Sequence, residues 1–152
     1  MAVPTLAGMT SLVLPESTHR LFDRALNVVF ITIDPDGSPQ ASLMWVSRDG
    51  DELVFGVESS RRKVRNLRRD PRVTLVIEDE EDSPVGLRQH LVVHGTVRFE
   101  GPGIAQEFAA FMDRQARRYY GTDYPYPNRE SDTTLIGRIG PTRIGGIGPW
   151  AG

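Results

Sequence analysis

Val28-Val29-Phe30-Ile31-Thr32-Ile33-Asp34-Pro35-Asp36-Gly37 is a run of six β-branched or aromatic residues followed by four turn formers. Val29, Ile31 and Ile33 alternate with Val28, Phe30 and Thr32, a period of two that predicts a strand, and Asp34 to Gly37 predicts the turn that ends it. The alternation resumes from Ser38 to Arg48 and stops at Asp49-Gly50. Glu52 to Val57 then reads as a third strand. Three strands joined by tight turns make a meander, so the chain starts as an antiparallel sheet.

On the N-terminal side, Leu21, Phe22, Ala25 and Leu26 fall at helical spacing within Pro15 to Leu26, which predicts a short amphipathic helix. On the C-terminal side, Ser59 to Arg69 reads as a helix capped by a serine and closed before Asp70-Pro71, with Val64 and Leu67 facing the core. Strand signals return at Val73, Leu75 and Ile77. Past the acidic stretch Glu78 to Asp82 they return again from Leu91 to Phe99, until Gly101-Pro102-Gly103 breaks the run. Ile104, Phe108, Phe111 and Met112 mark a longer helix from Ile104 to Tyr120. A Tyr- and Pro-rich loop covers Gly121 to Pro127, Thr134 to Ile139 reads as the last strand, and Gly145 to Trp150 is too glycine-rich to expect regular structure. Six strands and three helices without strict alternation predict a mainly β, α+β fold. The expected form is a six-stranded antiparallel barrel with flanking helices, since a doubly wound sheet would alternate strand and helix throughout.

The 152 residues suit one domain spanning 1–152, with a barrel over about 15–140 and a glycine-rich tail over 141–152. A hydrophobic share of 39%, a charged share of 25% and a net charge of -2 are ordinary for a soluble protein and give no global attraction to nucleic acid or anionic lipid. With no cysteine there is no disulfide framework, thiolate metal site or cysteine nucleophile. The opening Met1-Ala2-Val3-Pro4 lacks the basic and apolar regions of a signal peptide, and no apolar run is long enough to cross a bilayer. A cytoplasmic location is expected.

The metalloprotease, nucleophile-elbow, Walker and dinucleotide glycine motifs are all missing, which removes most support for hydrolase and nucleotide-triphosphatase readings. His90 and His94, four apart in a strand, are too distant to ligate one metal, and a lone strand histidine is in most cases a half-buried polar residue. Asp79 to Asp82 read as a solvated acidic turn. No metal is expected and no catalytic residue can be assigned. One local feature is strong: Arg61, Arg62, Lys63, Arg65, Arg68 and Arg69 crowd a short helix after Ser59-Ser60. A helix start offers free N–H groups and a positive dipole, and hydroxyls beside guanidinium and ammonium groups complete a phosphate socket.

Pro39-Gln40-Ala41-Ser42-Leu43-Met44-Trp45, then Gly56 to Lys63, then Asn66-Leu67-Arg68-Arg69-Asp70-Pro71-Arg72-Val73 occur in order. By these the chain resembles the pyridoxamine 5'-phosphate oxidase-like split β-barrel family over roughly residues 15 to 140, especially its branch that uses the deazaflavin coenzyme F420. The resemblance implies that Arg61 and Lys63, with Ser60, bind the cofactor phosphate. Gly56 and Val57 line the ring edge through their backbone, while Gln40, Ser42 and Met44 contact the ring system. Trp45 matches a bulky aromatic position that serves either the ring or the barrel wall. The resemblance also implies a homodimer with the cofactor at the subunit interface, so that Trp150 and the loop at Tyr124 and Tyr126 are expected to reach the pocket from the partner. The chain lacks the Arg-rich terminal segment of the vitamin B6 enzymes, which turns the expectation away from that substrate.

The expected function is an F420-dependent oxidoreductase passing a hydride to a small organic substrate. FMN-dependent oxidase or flavin reductase chemistry and non-catalytic cofactor carriage are the alternatives. A nucleic-acid patch at Arg61 to Arg69 is disfavoured by the acidic balance and the lack of a second basic cluster.

Overall fold

A computed structural model of the chain describes residues 3–4 and 10–151. Short strands β1 (Val3–Pro4) and β2 (Thr10–Ser11) form a two-stranded ladder ahead of helix α1 (Glu16–Asp23). There follow β3 (Val28–Ile33), β4 (Pro39–Met44), β5 (Ser47–Asp49), β6 (Glu52–Glu58), α2 (Arg62–Arg69), β7 (Arg72–Asp82), β8 (Arg88–Glu100), α3 (Ala105–Tyr120), a 3-10 turn at Pro127–Glu130, and β9 (Thr134–Ile147). Strands β3 to β9 make one antiparallel sheet in the order β4-β3-β7-β8-β9-β6-β5.

That order explains the shape. β4 and β5 stand at opposite edges of the sheet, yet only Trp45 and Val46 separate them in the chain. Two residues span at most a few extended steps of 3.8 Å, so the sheet must curl until its edges meet. They do not zip together. β5 pairs with β6 only from Glu52 to Val54, and β4 pairs only with β3. The barrel is therefore split, with β4 on one lip and the unpaired edge of Phe55 to Glu58 on the other. The run Ser38 to Arg48 that reads as one strand is two, which turns the expected six strands of the sheet into seven.

The inward rows of β3, β6, β7, β8 and β9 are largely apolar: Val28 and Phe30, Leu53, Phe55 and Val57, Val73, Leu75 and Ile77, Leu91 and Val93, Leu135 and Ile139. α1 adds Leu21 and Phe22, and α2 adds Val64 and Leu67, to the same core. A second cluster lies under α3, where Phe108, Phe111 and Met112 cover Val54 and Ile136. α3 sits so close that a Cβ on Gly56 would come within 2.5 Å of the Met112 sulfur. Gly121, at φ 79°, closes that helix in the left-handed conformation that glycine adopts without strain.

Three expectations need correction. The acidic stretch is no solvated turn, because β7 runs through it to Asp82 with an irregularity after Glu78. Asp79, next inward after Ile77, is buried and held by two guanidinium nitrogens of Arg20, at 2.8 and 2.5 Å, and by Gln89 at 2.9 Å. The last strand does not end at Ile139. It passes Gly140-Pro141 through a shift of register opposite His94 and Gly95, where a residue lacking an N–H can be accommodated, and its Gly145 and Gly146 pair with Val92 and Leu91. The tail is ordered too: Trp150 is buried in the main core and donates from Nε1 to the His90 carbonyl at 3.2 Å.

Candidate cofactor site at the barrel split

β4 supplies one lip. Gln40, Ser42 and Met44 lie opposite Thr32, Phe30 and Val28, so they share the inward face, while Ala41 and Leu43 point outward and are exposed. The Ser42 hydroxyl is shielded from solvent and has no hydrogen-bond partner. Gln40 accepts from Thr32 Oγ1 at 2.7 Å through Oε1, which leaves its two amide N–H groups to donate elsewhere.

β6 supplies the other lip. The Ser59 N–H bonds to the Thr133 carbonyl at 3.1 Å, which assigns odd-numbered residues of this strand to the β9 side. By the alternation of an antiparallel ladder, the backbone groups of Gly56 face the open side, whereas those of Val57 face β9 and its side chain lies in the barrel core. Of the two residues expected at the ring edge, only Gly56 offers backbone there.

α2 closes the end of the split. The helix begins at Arg62 with Arg61 in the cap position, and neither Ser59 nor Ser60 caps it. The Val64 and Arg65 N–H groups return to the Arg61 carbonyl, at 3.0 and 3.4 Å. The first-turn donors of Arg62 and Lys63 have no such partner among the described residues, and an uncapped start is what an anion needs.

The six cations around this helix divide sharply. Arg62 forms a two-pronged ion pair with Asp34 at 2.9 and 2.5 Å, and Asn66 joins the network by donating to Asp34 and to Thr32, both at 3.0 Å. Arg69 bonds to Asn66 Oδ1 and the Ile33 carbonyl, Arg65 donates to the Ser60 carbonyl at 2.7 Å, and Arg68 lies over the Phe99 ring. Arg61 has no hydrogen-bond acceptor among the described residues. Lys63 is half-buried beside the Phe30 ring and reaches only the Met44 sulfur, at 3.0 Å. A thioether is a weak acceptor for an ammonium. Burial pushes the Lys63 ammonium below its usual pKa, and the Arg61 charge pushes the same way. Thus the two cations assigned to a phosphate are left without an oxygen acceptor, and of the other four only Arg68, lying against Phe99, shares that state among the described residues. Lys63 is also the only lysine in a chain with seventeen arginines, a signal the sequence carried in plain view.

Beside the start of α2 lies a cleft of about 670 Å³, lined by Ser60, Arg61, Arg62, Glu58, Tyr124 and Tyr126 among others. The tyrosines of this cleft come from the same chain as Arg61, and Trp150 is buried in the main core. Trp45 turns away from the Met44 face and packs under α3, stacked on Tyr119 at 4.8 Å and edge-on to Tyr120 and Tyr124. Burial also raises the pKa of Tyr124, so this wall stays neutral in physiological conditions.

An antiparallel barrel split along one seam, with a cationic helix start beside the split, is a split barrel of the flavin-binding kind. The family profile described as Pyridoxamine 5'-phosphate oxidase matches residues 14–144, and the chain belongs to that family. No curated protein matches it. A solved structure named F420 Reductase is 28% identical, with a TM-score of 0.69, over 86% of this chain and 98% of that one. The General Stress Protein 26 from Bacillus anthracis is 16% identical, at a TM-score of 0.65, over 90% and 95% of the two chains. The heme storage protein HutZ from Vibrio cholerae is 16% identical, at 0.62, over 89% and 95%. These last two share the fold. No helix among the described residues is long and apolar enough to cross a membrane.

Proposed function

We propose that the chain is an oxidoreductase that holds coenzyme F420 in the barrel split and passes a hydride to a small organic substrate. The observation that carries the reading is the pair Arg61 and Lys63, two cations without oxygen acceptors beside an uncapped helix start. The residues present fit such a group. Arg61, Lys63 and Ser60 would hold its phosphate, the Gly56 backbone and the orphan Ser42 hydroxyl would meet the polar edge of the ring, and Gln40 and Met44 would orient it. When bound, the ring supplies the two-electron chemistry, which leaves the protein to bind, orient and exclude water. Tyr124 and Tyr126 would wall the substrate side. The likeness to a protein named F420 Reductase supports the deazaflavin.

FMN is the second reading, favoured by one observation: Arg62 and Arg69 are committed to Asp34 and Asn66, so only Arg65 and Arg68 remain for the charged tail that distinguishes the deazaflavin. Titrating both cofactors at two ionic strengths decides between them. F420 should bind more tightly at low salt, with an advantage that shrinks as salt rises. Tighter FMN binding in every condition would establish the flavin, and binding without turnover of any reductant would establish a carrier.

We further propose that two copies pair through the outer face of the sheet. Leu43, Val29, Val76 and Val92 lie opposite one another across β4, β3, β7 and β8, forming one apolar row, with Leu43 63% exposed. That row is the back of the lip that carries Ser42 and Met44, which would bring the site to the subunit boundary.

A further inference from the structure

A second cationic cleft, of about 490 Å³, opens between β5 and α3. Four guanidinium groups line it, those of Arg48, Arg114, Arg118 and Arg138, against the single carboxylate of Asp49. Arg138 is committed: it pairs with Asp49 at 2.9 Å, Glu100 at 3.1 Å and Glu52 at 3.4 Å. Arg48, Arg114 and Arg118 have no acidic partner among the described residues.

Two of the three are also poorly satisfied. Nε of Arg48 and Nε of Arg118 are both shielded from solvent with no acceptor. Each guanidinium gives one hydrogen bond to backbone, Arg48 to the Gly50 carbonyl at 3.2 Å and Arg118 to the Val46 carbonyl at 3.1 Å, out of five N–H groups available. Arg114 and Arg118 stand four apart on α3, a spacing at which like charges repel. Each is backed by a ring, Phe111 at 5.9 Å and Tyr119 at 5.4 Å, which steadies the plane and leaves its edge free to donate. Gln115 Nε2 bonds to Ser47 Oγ at 2.9 Å and ties the helix to the strand across the cleft. Buried donors without acceptors, and like charges without a counter-charge, are stabilised together by one compact anion.

We propose that this cleft binds a phosphate-type dianion, free or as the ester of a small molecule, at a site separate from the barrel split. Its volume suits a phosphate with a small organic group. Three planar donors lining one cleft match the several oxygens of a phosphate better than a single carboxylate.

Titration of the full chain with inorganic phosphate at low salt, followed through the arginine Nε–H resonances, tests this. The Arg48 and Arg118 signals should shift and saturate. Arg114→Glu should weaken that binding by about tenfold or more. The variant should keep its fold, since Arg114 is exposed and makes no hydrogen bond. Arg61→Ala, in the barrel split, should leave the titration unchanged. Absence of saturation, indifference to Arg114→Glu, or loss with Arg61→Ala would overturn the proposal. So would saturation of the same signals by triglutamate at a lower concentration than phosphate, because the site would then belong to a carboxylate tail.

Discussion

At the scale of single residues, Lys63 and Arg61 are the informative pair. Replacing Lys63 by Met should weaken cofactor binding roughly 10- to 100-fold, the worth of one charge-assisted hydrogen bond of about 1.5–3 kcal/mol, and Arg61→Ala should act in the same direction. Fluorescence or calorimetric titration checks both, and an unchanged dissociation constant in the folded double variant would sink the assignment. The lowered pKa of Lys63 gives a pH signature. In the free protein the ammonium loses its proton below the usual lysine value, so at pH near or above that lowered value phosphate binding is accompanied by proton uptake. Affinity should fall with rising pH earlier than for an ordinary lysine, and Lys63→Met should abolish that part of the profile. Asp79 supplies the opposite case. Arg20, with Gln89 and the Glu80 N–H, holds its carboxyl at about 2, well below the usual carboxylate range. A depressed folded pKa contributes stability above the unfolded value, and that contribution is lost as pH falls through the folded one. Asp79→Asn should cost ~2 kcal/mol at neutral pH and flatten the acid limb between about pH 4 and 2 in chemical denaturation.

At the scale of elements, the Asp34 network bolts α2 to the end of β3. Asp34→Ala strips acceptors from Arg62 and Asn66 together and should destabilise the fold by ~1–3 kcal/mol, with faster amide exchange across α2. Unchanged exchange there would show that packing of Val64 and Leu67 alone seats the helix. This network also marks the limit of what the sequence discloses. The basic helix was legible as a cluster, since its residues are neighbours in the chain. Which of its cations are spent on structure was not, because Asp34 lies 28 residues upstream of Arg62. The same holds for strands. Period two in Val28 to Ile33 and in β6 to β8 reports burial on one face and reads directly. The alternation that carries on past Met44 says nothing about a change of partner at Trp45-Val46, so one strand was read where two stand. The continuation of β9 past Ile139 was not legible, because the tolerance of Pro141 depends on a register shift against β8. Trp150 looked like a loose tail because its acceptor, the His90 carbonyl, is 60 residues away.

At the scale of the whole molecule, the outer apolar row predicts assembly. Sedimentation at micromolar concentration should show a dimer, and Leu43→Lys, on an exposed edge position that costs the monomer little, should shift it to monomer. A wild-type monomer with cofactor fully bound would refute the interface. The split itself behaves as a jaw. Its two lips leave a common pin at Trp45-Val46, where the chain is continuous and Ser47 still pairs with Val54. Its far end is latched by Asp34, Arg62 and Asn66. Any widening is smallest at Met44 and largest toward Gln40, where the latch acts on the longest lever arm. A few hydrogen bonds thus govern how far the jaw can open, and on the proposed reading the residence of a planar ring between the lips would be set by leverage at Asp34 as much as by grip at Lys63.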